Sequence, residues 1–164
     1  MKVKFAARDL NLLGNEKNVG DTVTLTSAVA PGTFFAEELK LKHDYTVLTT
    51  YPSVDTRVCE LQVLSMGDLS KDFPKINFLA FSVDLPSALA AYKDSHEVGN
   101  VKLYSDYQKL ALAKELGVLI EEINLCARSV FVVDKDGKII YKEIKTNTSD
   151  NITFNKLKDF LSHL

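Results

Sequence analysis

Cys59 sits within the run YPSVDTRVCELQ, just after a strand-like stretch, a proline-led loop and a candidate helix N-cap. A thiol in the first turn of a helix faces the positive end of the helix dipole and backbone N–H groups that have no intrahelical partner. Both favour thiolate over thiol, and the thiolate is the nucleophile. Pro52 fixes where the loop leaves the strand. Thr56, three residues before the cysteine, brings a hydroxyl that can donate or accept in the same small volume. The alternative for Cys59 is a small buried hydrophobe, as many free cysteines are. Arg128, in CARSVFVVD, leads directly into an apolar strand, where a guanidinium is costly unless it meets an anion or several acceptors. It can pair with a structural carboxylate such as Glu60. Beside a thiolate it would instead stabilise the charged sulfur and orient a polar substrate.

These residues need elements to hold them. Tyr45–Tyr51 is β-branched and aromatic and stops at Pro52, which cannot continue a central strand. Asp55 to Phe73 takes helical spacing, with Val58, Leu61, Leu64 and Leu69 recurring on one side and Asp55 or Thr56 as N-cap. Asn77–Val83 reads as a buried strand, and Pro86 opens a helix whose inner face is Ala88, Leu89, Ala91 and Tyr92. A strand at Val101–Tyr104, a helix over Lys109–Leu116, an apolar strand at Arg128–Val133, a DKDG turn and a strand at Lys138–Ile144 follow. Phe154, Leu157, Leu161 and Leu164 mark a last helix. At the N-terminus, Val3–Phe5 and Leu10–Leu13 flank a short polar turn as a hairpin closed by Gly14-Asn15, and the alternating DTVTLTS at Asp21–Ser27 predicts a half-buried strand. Strands interleaved with helices imply an α/β fold with a mixed central sheet flanked by helices, and a thioredoxin-like core with an added N-terminal β-hairpin fits this order. No repeat or linker breaks the 164 residues, so one domain, 1–164, is expected.

The run Pro52-Ser53-Val54-Asp55-Thr56-Arg57-Val58-Cys59 resembles the peroxiredoxin active-site pattern Pro-x-x-x-Thr-x-x-Cys. Its wording, with Ser82–Pro86 (SVDLP), Tyr104–Asp106 (YSD) and Ala127–Ile144 (ARSVFVVDKDGKIIYKEI), is similar to the thiol peroxidase subfamily. The resemblance implies a thioredoxin-like fold and a cysteine peroxidase that reduces hydrogen peroxide and organic hydroperoxides without metal or organic cofactor. It makes Cys59 the peroxidatic cysteine, which becomes a sulfenic acid. Thr56 would hydrogen-bond the peroxide, Pro52 would shield the thiolate, and Arg128 would hold it and stabilise the transition state. It also implies a homodimer.

The chain departs from that pattern in two places. Most thiol peroxidases carry a resolving cysteine where Lys93 stands, and Arg57 occupies a position usually held by glycine. The sulfenic acid is then met either by an external thiol (a small thiol, a thioredoxin or a glutaredoxin-like protein) or by Cys126. On a regular strand Cys126 would share a face with Arg128, and its alternative is that of a buried filler. Thiol–disulfide exchange is disfavoured because no Cys-x-x-Cys occurs. A peroxide-sensing or binding protein with little turnover is the competing class. His43, His96 and His163 lie among charged residues and read as solvated, Lys93 reads as an exposed helix residue, and Tyr51 and Phe81 read as core.

Composition agrees with a reduced, cytoplasmic protein. Lys plus Arg number 20 and Asp plus Glu 22, a net charge of −2, which lacks the basic footprint of nucleic-acid binding. Two cysteines and three histidines, with no zinc-ligand spacing, exclude a disulfide framework and a clustered metal site. No apolar run approaches the ~18 residues of a membrane span, and the charged start MKVKFAARD leaves no room for a secretory apolar segment.

Overall fold

A computed structural model describes residues 1–164. Its centre is a five-stranded mixed sheet in the order β11-β10-β5-β6-β7. Strands β5 (Thr46–Thr50), β6 (Asn77–Ser82) and β7 (Val101–Ser105) run parallel, while β10 (Ser129–Val133) is antiparallel to both β5 and β11 (Ile139–Ile144). The parallel strands are joined by helices α1 (Arg57–Asp72) and α2 (Pro86–Ser95), as parallel neighbours require a crossover. Helix α4 (Phe154–Ser162) packs on the same side as these two, and the short α3 (Ala111–Leu116) lies on the other. This is the thioredoxin-like arrangement expected from the element order.

Side chains of the central strands alternate between two cores. Val47, Phe78, Ala80, Val130 and Val132 face α1, α2 and α4, whereas Leu48, Leu79, Phe81, Phe131 and Val133 face α3 and the N-terminal layer. A strand buried on both faces has no polar side, which is why these runs read as continuous apolar stretches.

The N-terminal hairpin, β1 (Lys2–Phe5) and β2 (Arg8–Leu13), forms as expected, but it turns on Ala6-Ala7. Their φ values of 49° and 64° are left-handed, which a primed two-residue turn demands and which is seldom built from alanine. A second small sheet continues from it through β8 (Leu119–Ile120) and β9 (Leu125–Cys126), two-residue strands too short to leave a sequence pattern. The residues DTVTLTS are not the regular strand that their alternation predicts. Val23 is buried and its neighbours are exposed, so the period is real, yet only Ser27–Ala28 (β3) pair in a ladder, with β4 (Glu37–Glu38). The backbone there bonds instead to a loop carbonyl and a side chain, with Val23 N donating to Gly137 O at 2.8 Å and Thr24 N to Glu115 Oε1 at 2.7 Å.

Helix α1 also turns differently from its leucine pattern. Its buried face is Cys59, Gln62, Val63, Met66, Leu69 and Ser70, while Leu61 is 47% exposed. Two polar residues sit inside because partners await them: Gln62 meets Arg128, and Ser70 Oγ donates to Gly67 O and accepts from Asn100 N. Similarly, Leu89 and Tyr92 bury α2, and Ala91 faces out.

Behind α1, Gly99 lies against the helix backbone. A Cβ on it would approach Gly67 O to 2.3 Å, and its φ is +60°. Gly99→Ala is expected to lower unfolding free energy by about 3 kcal/mol in urea melts, combining overpacking with a left-handed backbone. Gly20→Ala, with φ +100° but nothing within 4 Å of the new Cβ, isolates the backbone part and costs less.

Candidate active site

Arg128 is 2% exposed and ranks with the largest fully buried side chains of the protein. Each N–H needs an acceptor at such a site. Nε and Nη2 donate to Thr148 O at 3.0 and 2.8 Å, Nη1 donates to Gln62 Oε1 at 2.7 Å, and Nη2 donates to Cys59 Sγ at 3.3 Å. Glu60, the sequence's candidate carboxylate partner, is not among them. The guanidinium therefore meets two neutral oxygens and a sulfur. Only the sulfur can carry the balancing negative charge.

The acceptors are themselves held. Gln62 Nε2 donates to Thr49 Oγ1 at 2.6 Å and to Thr50 O at 3.0 Å, which fixes its amide so that the oxygen faces Arg128. Thr148 is held by the N-terminal hairpin, with Thr148 N and Oγ1 both donating to Lys4 O at 3.0 Å. Neither Gln62 nor Thr148 was legible as a site residue, although a polar Gln on the buried side of an apolar helix would have been the available signal.

Cys59 is fully buried, in the third position of α1. Thr56 is the N-cap residue, but its side chain makes no capping bond; its hydroxyl donates to Ser53 O at 3.1 Å. Pro52 is buried at the start of the loop, and Arg57 is exposed. The loop is pinned by Asp84, which the sequence offered only as part of SVDLP. Ser53 Oγ donates to Asp84 Oδ1 at 2.6 Å, while Val54 N and Ser82 Oγ donate to Oδ2 at 3.0 and 2.6 Å. The end of β6 thereby sets the course of the 52–56 loop. Tyr51 and Phe81 are core residues on opposite faces of the sheet.

Cys126 is not beside Cys59. It ends β9 in the second small sheet and belongs to the core on the far face of the central sheet, while Cys59 belongs to the near one. Between Cys126 and Arg128 the chain passes from one sheet to the other, so the regular alternation that would align them is broken. Burial pushes the Cys126 thiol well above its ordinary range, and the carboxylates of Asp106 and Asp84 add to the shift.

Next to Cys59, Glu60 is engaged elsewhere. His96 Nε2 and Glu60 Oε1 lie 2.8 Å apart, and the His96 ring stacks on Tyr92 with centroids 4.0 Å apart. His96 is thus a partly buried partner of α1, contrary to the solvated reading, because the end of α2 folds back onto the first turn of α1. His163 is solvated, His43 is half-buried, and Lys93 is exposed.

A long helix leaving a parallel strand through a proline-led loop, with a guanidinium held against the sulfur at its start, defines a cysteine-centred protein of the thioredoxin-like class. Residues 19–142 match the AhpC/TSA family. A thiol peroxidase of Clostridium acetobutylicum is 36% identical over 145 residues, covering 86% of this chain and 85% of its own. A thiol peroxidase of Oceanobacillus iheyensis is 34% identical, covering 99% and 97%. The crystal structure of a peroxiredoxin-like protein from Aquifex aeolicus superposes with a TM-score of 0.89 at 26% identity, covering 99% and 96%. The chain belongs to the AhpC/TSA, or peroxiredoxin, family, in its thiol peroxidase subfamily.

The Tyr92 hydroxyl is pushed up to about 12 by burial and by the Glu60 carboxylate. An unfolded tyrosine ionises near 10, so the unfolded chain releases this proton first. Tyr92 therefore contributes stability that is present below pH 10 and is lost as pH rises toward 12. Chemical denaturation midpoints measured across that window should fall for the wild type and fall less for Tyr92→Phe.

Proposed function

We propose that this chain is a thiol-dependent peroxidase in which Cys59 reduces hydrogen peroxide and organic hydroperoxides. The observation that carries the reading is the Arg128–Cys59 contact, a buried cation whose sole ionisable neighbour in hydrogen-bond contact is the sulfur. The Cys59 thiolate attacks the terminal peroxide oxygen. An S–O bond forms, the O–O bond breaks, and its electron pair leaves on the alkoxide or hydroxide, which takes up a proton. Arg128, already aimed at the sulfur, follows the charge as it moves, which is how fixed donors lower a barrier. Thr56 has its hydrogen on Ser53 O, so its oxygen lone pairs are free to accept the hydroperoxide proton. Pro52 closes the loop side, and Asp84 acts as a positioning residue by holding Ser53 and Val54.

The oxidised sulfur returns to thiol through an external donor, either a small thiol or a thioredoxin or glutaredoxin-like protein. One donor thiol displaces water from the sulfenic acid to form a mixed disulfide, and a second releases Cys59. Lys93 on α2 and Cys126 in the opposite core support this one-cysteine cycle. Since Cys59 is enclosed, the first turn of α1 must open to admit the donor. A reducing compartment such as the cytoplasm supplies such donors. Phe34, Phe35, Leu61 and Leu85 are apolar side chains 68%, 81%, 47% and 56% exposed, and a second copy of the chain is the occupant we assign to them.

Peroxide consumption with an added dithiol should vanish in Cys59→Ser and persist in Cys126→Ser. Arg128→Met is expected to slow oxidation of Cys59 by about 10²–10³-fold, the scale seen when a preorganised donor is removed. Whole-protein mass after one equivalent of cumene hydroperoxide should rise by one oxygen. A loss of two hydrogens with no added oxygen would sink the one-cysteine cycle, and oxidation without turnover for every donor would favour a peroxide sensor. Sedimentation should give a dimer that dissociates more readily in Phe35→Glu.

A further inference from the structure

A cleft of about 510 Å³ opens at the N-terminal ends of the parallel strands, the end of the sheet opposite the Cys59 loop. Its walls carry Lys40, Lys42, Lys93 and Lys102, together with His43, and no carboxylate lines it. Acidic residues outnumber basic ones over the whole chain, so a lining with four lysines and no carboxylate is a local concentration. None of the four forms an ion pair, whereas Lys71, Lys142, Lys145 and Lys158 are each within ion-pair distance of a carboxylate. Four ammonium groups around one opening repel each other, and an anion between them removes that cost.

The rim is fixed in place. Asn77 Oδ1 accepts from Lys42 N at 3.2 Å, and Asn77 Nδ2 donates to His43 O at 3.0 Å, which ties the segment before β5 to the start of β6. Asn100 and Gly99 also line it, and its accessible apolar side chains are half-buried Leu39, Ile76 and Tyr104 and exposed Leu41. Glu37 lies outside the lining, yet its charge adds to the burial that raises the Tyr104 hydroxyl. Lysines present compact point charges with no planar fork, which suits phosphate oxygens approached from several sides better than a single carboxylate. The volume falls in the range of about 300–1,000 Å³ that encloses small ligands.

We propose that this cleft binds a phosphorylated small molecule of nucleotide size, with its phosphates among the lysines and its flat apolar part on a floor of Leu41, Ile76 and Tyr104. Calorimetry on the full chain with ATP, inorganic triphosphate and adenosine tests this. ATP should bind saturably at or below about 1 mM in low salt and weaken as salt screens the lysines. Triphosphate should bind more weakly than ATP, and adenosine alone should bind least. Lys42→Ala/Lys102→Ala, two exposed changes whose melting curve checks the fold, should weaken ATP about tenfold or more. Lys135→Ala, outside the cleft, should leave binding unchanged. Absence of saturable ATP binding, or equal binding by the double variant and the wild type, would overturn the site. Equal affinity for triphosphate and ATP would overturn the assignment of the floor to the ligand.

Discussion

A guanidinium without solvent must find acceptors for its N–H groups, and much of this structure is arranged around that requirement at Arg128. The acceptors come from separate parts of the chain: Gln62 and Cys59 on α1 and the carbonyl of Thr148 before α4. Each is fixed by a further element. Thr49 and Thr50 of β5 orient Gln62, and Lys4 of β1 holds Thr148. The N-terminal hairpin, remote in sequence, is therefore part of the support for the sulfur. Low dielectric makes such a network strong when complete and costly when broken.

The central sheet divides the chemistry as well as the cores. Its near face carries Cys59 and Arg128 beneath α1, and its far face carries Cys126 beneath the small sheet. A disulfide needs Cα atoms about 4.4–6.8 Å apart, and two thiols in separate cores cannot meet that without unfolding a layer. The position at which the resemblance to thiol peroxidases implies a second thiol is Lys93, exposed on α2. In the proposed cycle, redox chemistry is left to one sulfur and whatever thiol reaches it.

The parallel strands give the molecule two chemically unlike ends. At their C-terminal ends the loop after β5 and the SVDLP turn after β6 converge through Asp84 on the approach to Cys59. At their N-terminal ends the lysine-lined cleft gathers positive charge on an otherwise slightly acidic chain. Helix α2 begins beside Asp84, its Lys93 lines the cleft, and His96 at its end pairs with Glu60 in the first turn of α1.

What the sequence determined was local and periodic. β-Branched runs stopped by Pro52 or followed by Asp134-Lys135-Asp136-Gly137 are strands wherever they fold, and Cys59 is placed at a helix start by the residues immediately before it. Pro52, Thr56 and Cys59 stand out in the sequence because they share one motif, and Arg128 because it stands at a strand entrance. What only the tertiary structure decided depends on contacts between distant residues. Leu61 faces out and Gln62 faces in because Arg128 lies opposite, a fact no helical period contains. Asp21–Ser27 keeps its alternation but not its ladder because its neighbours offer a side chain and a loop instead of a strand. Cys126 falls on the far face because the chain changes sheets in the two residues before Ser129, so a parity rule for one strand has no hold across two. Spacing along a chain records the shape of single elements, and the partners of a buried charge are chosen by how those elements pack.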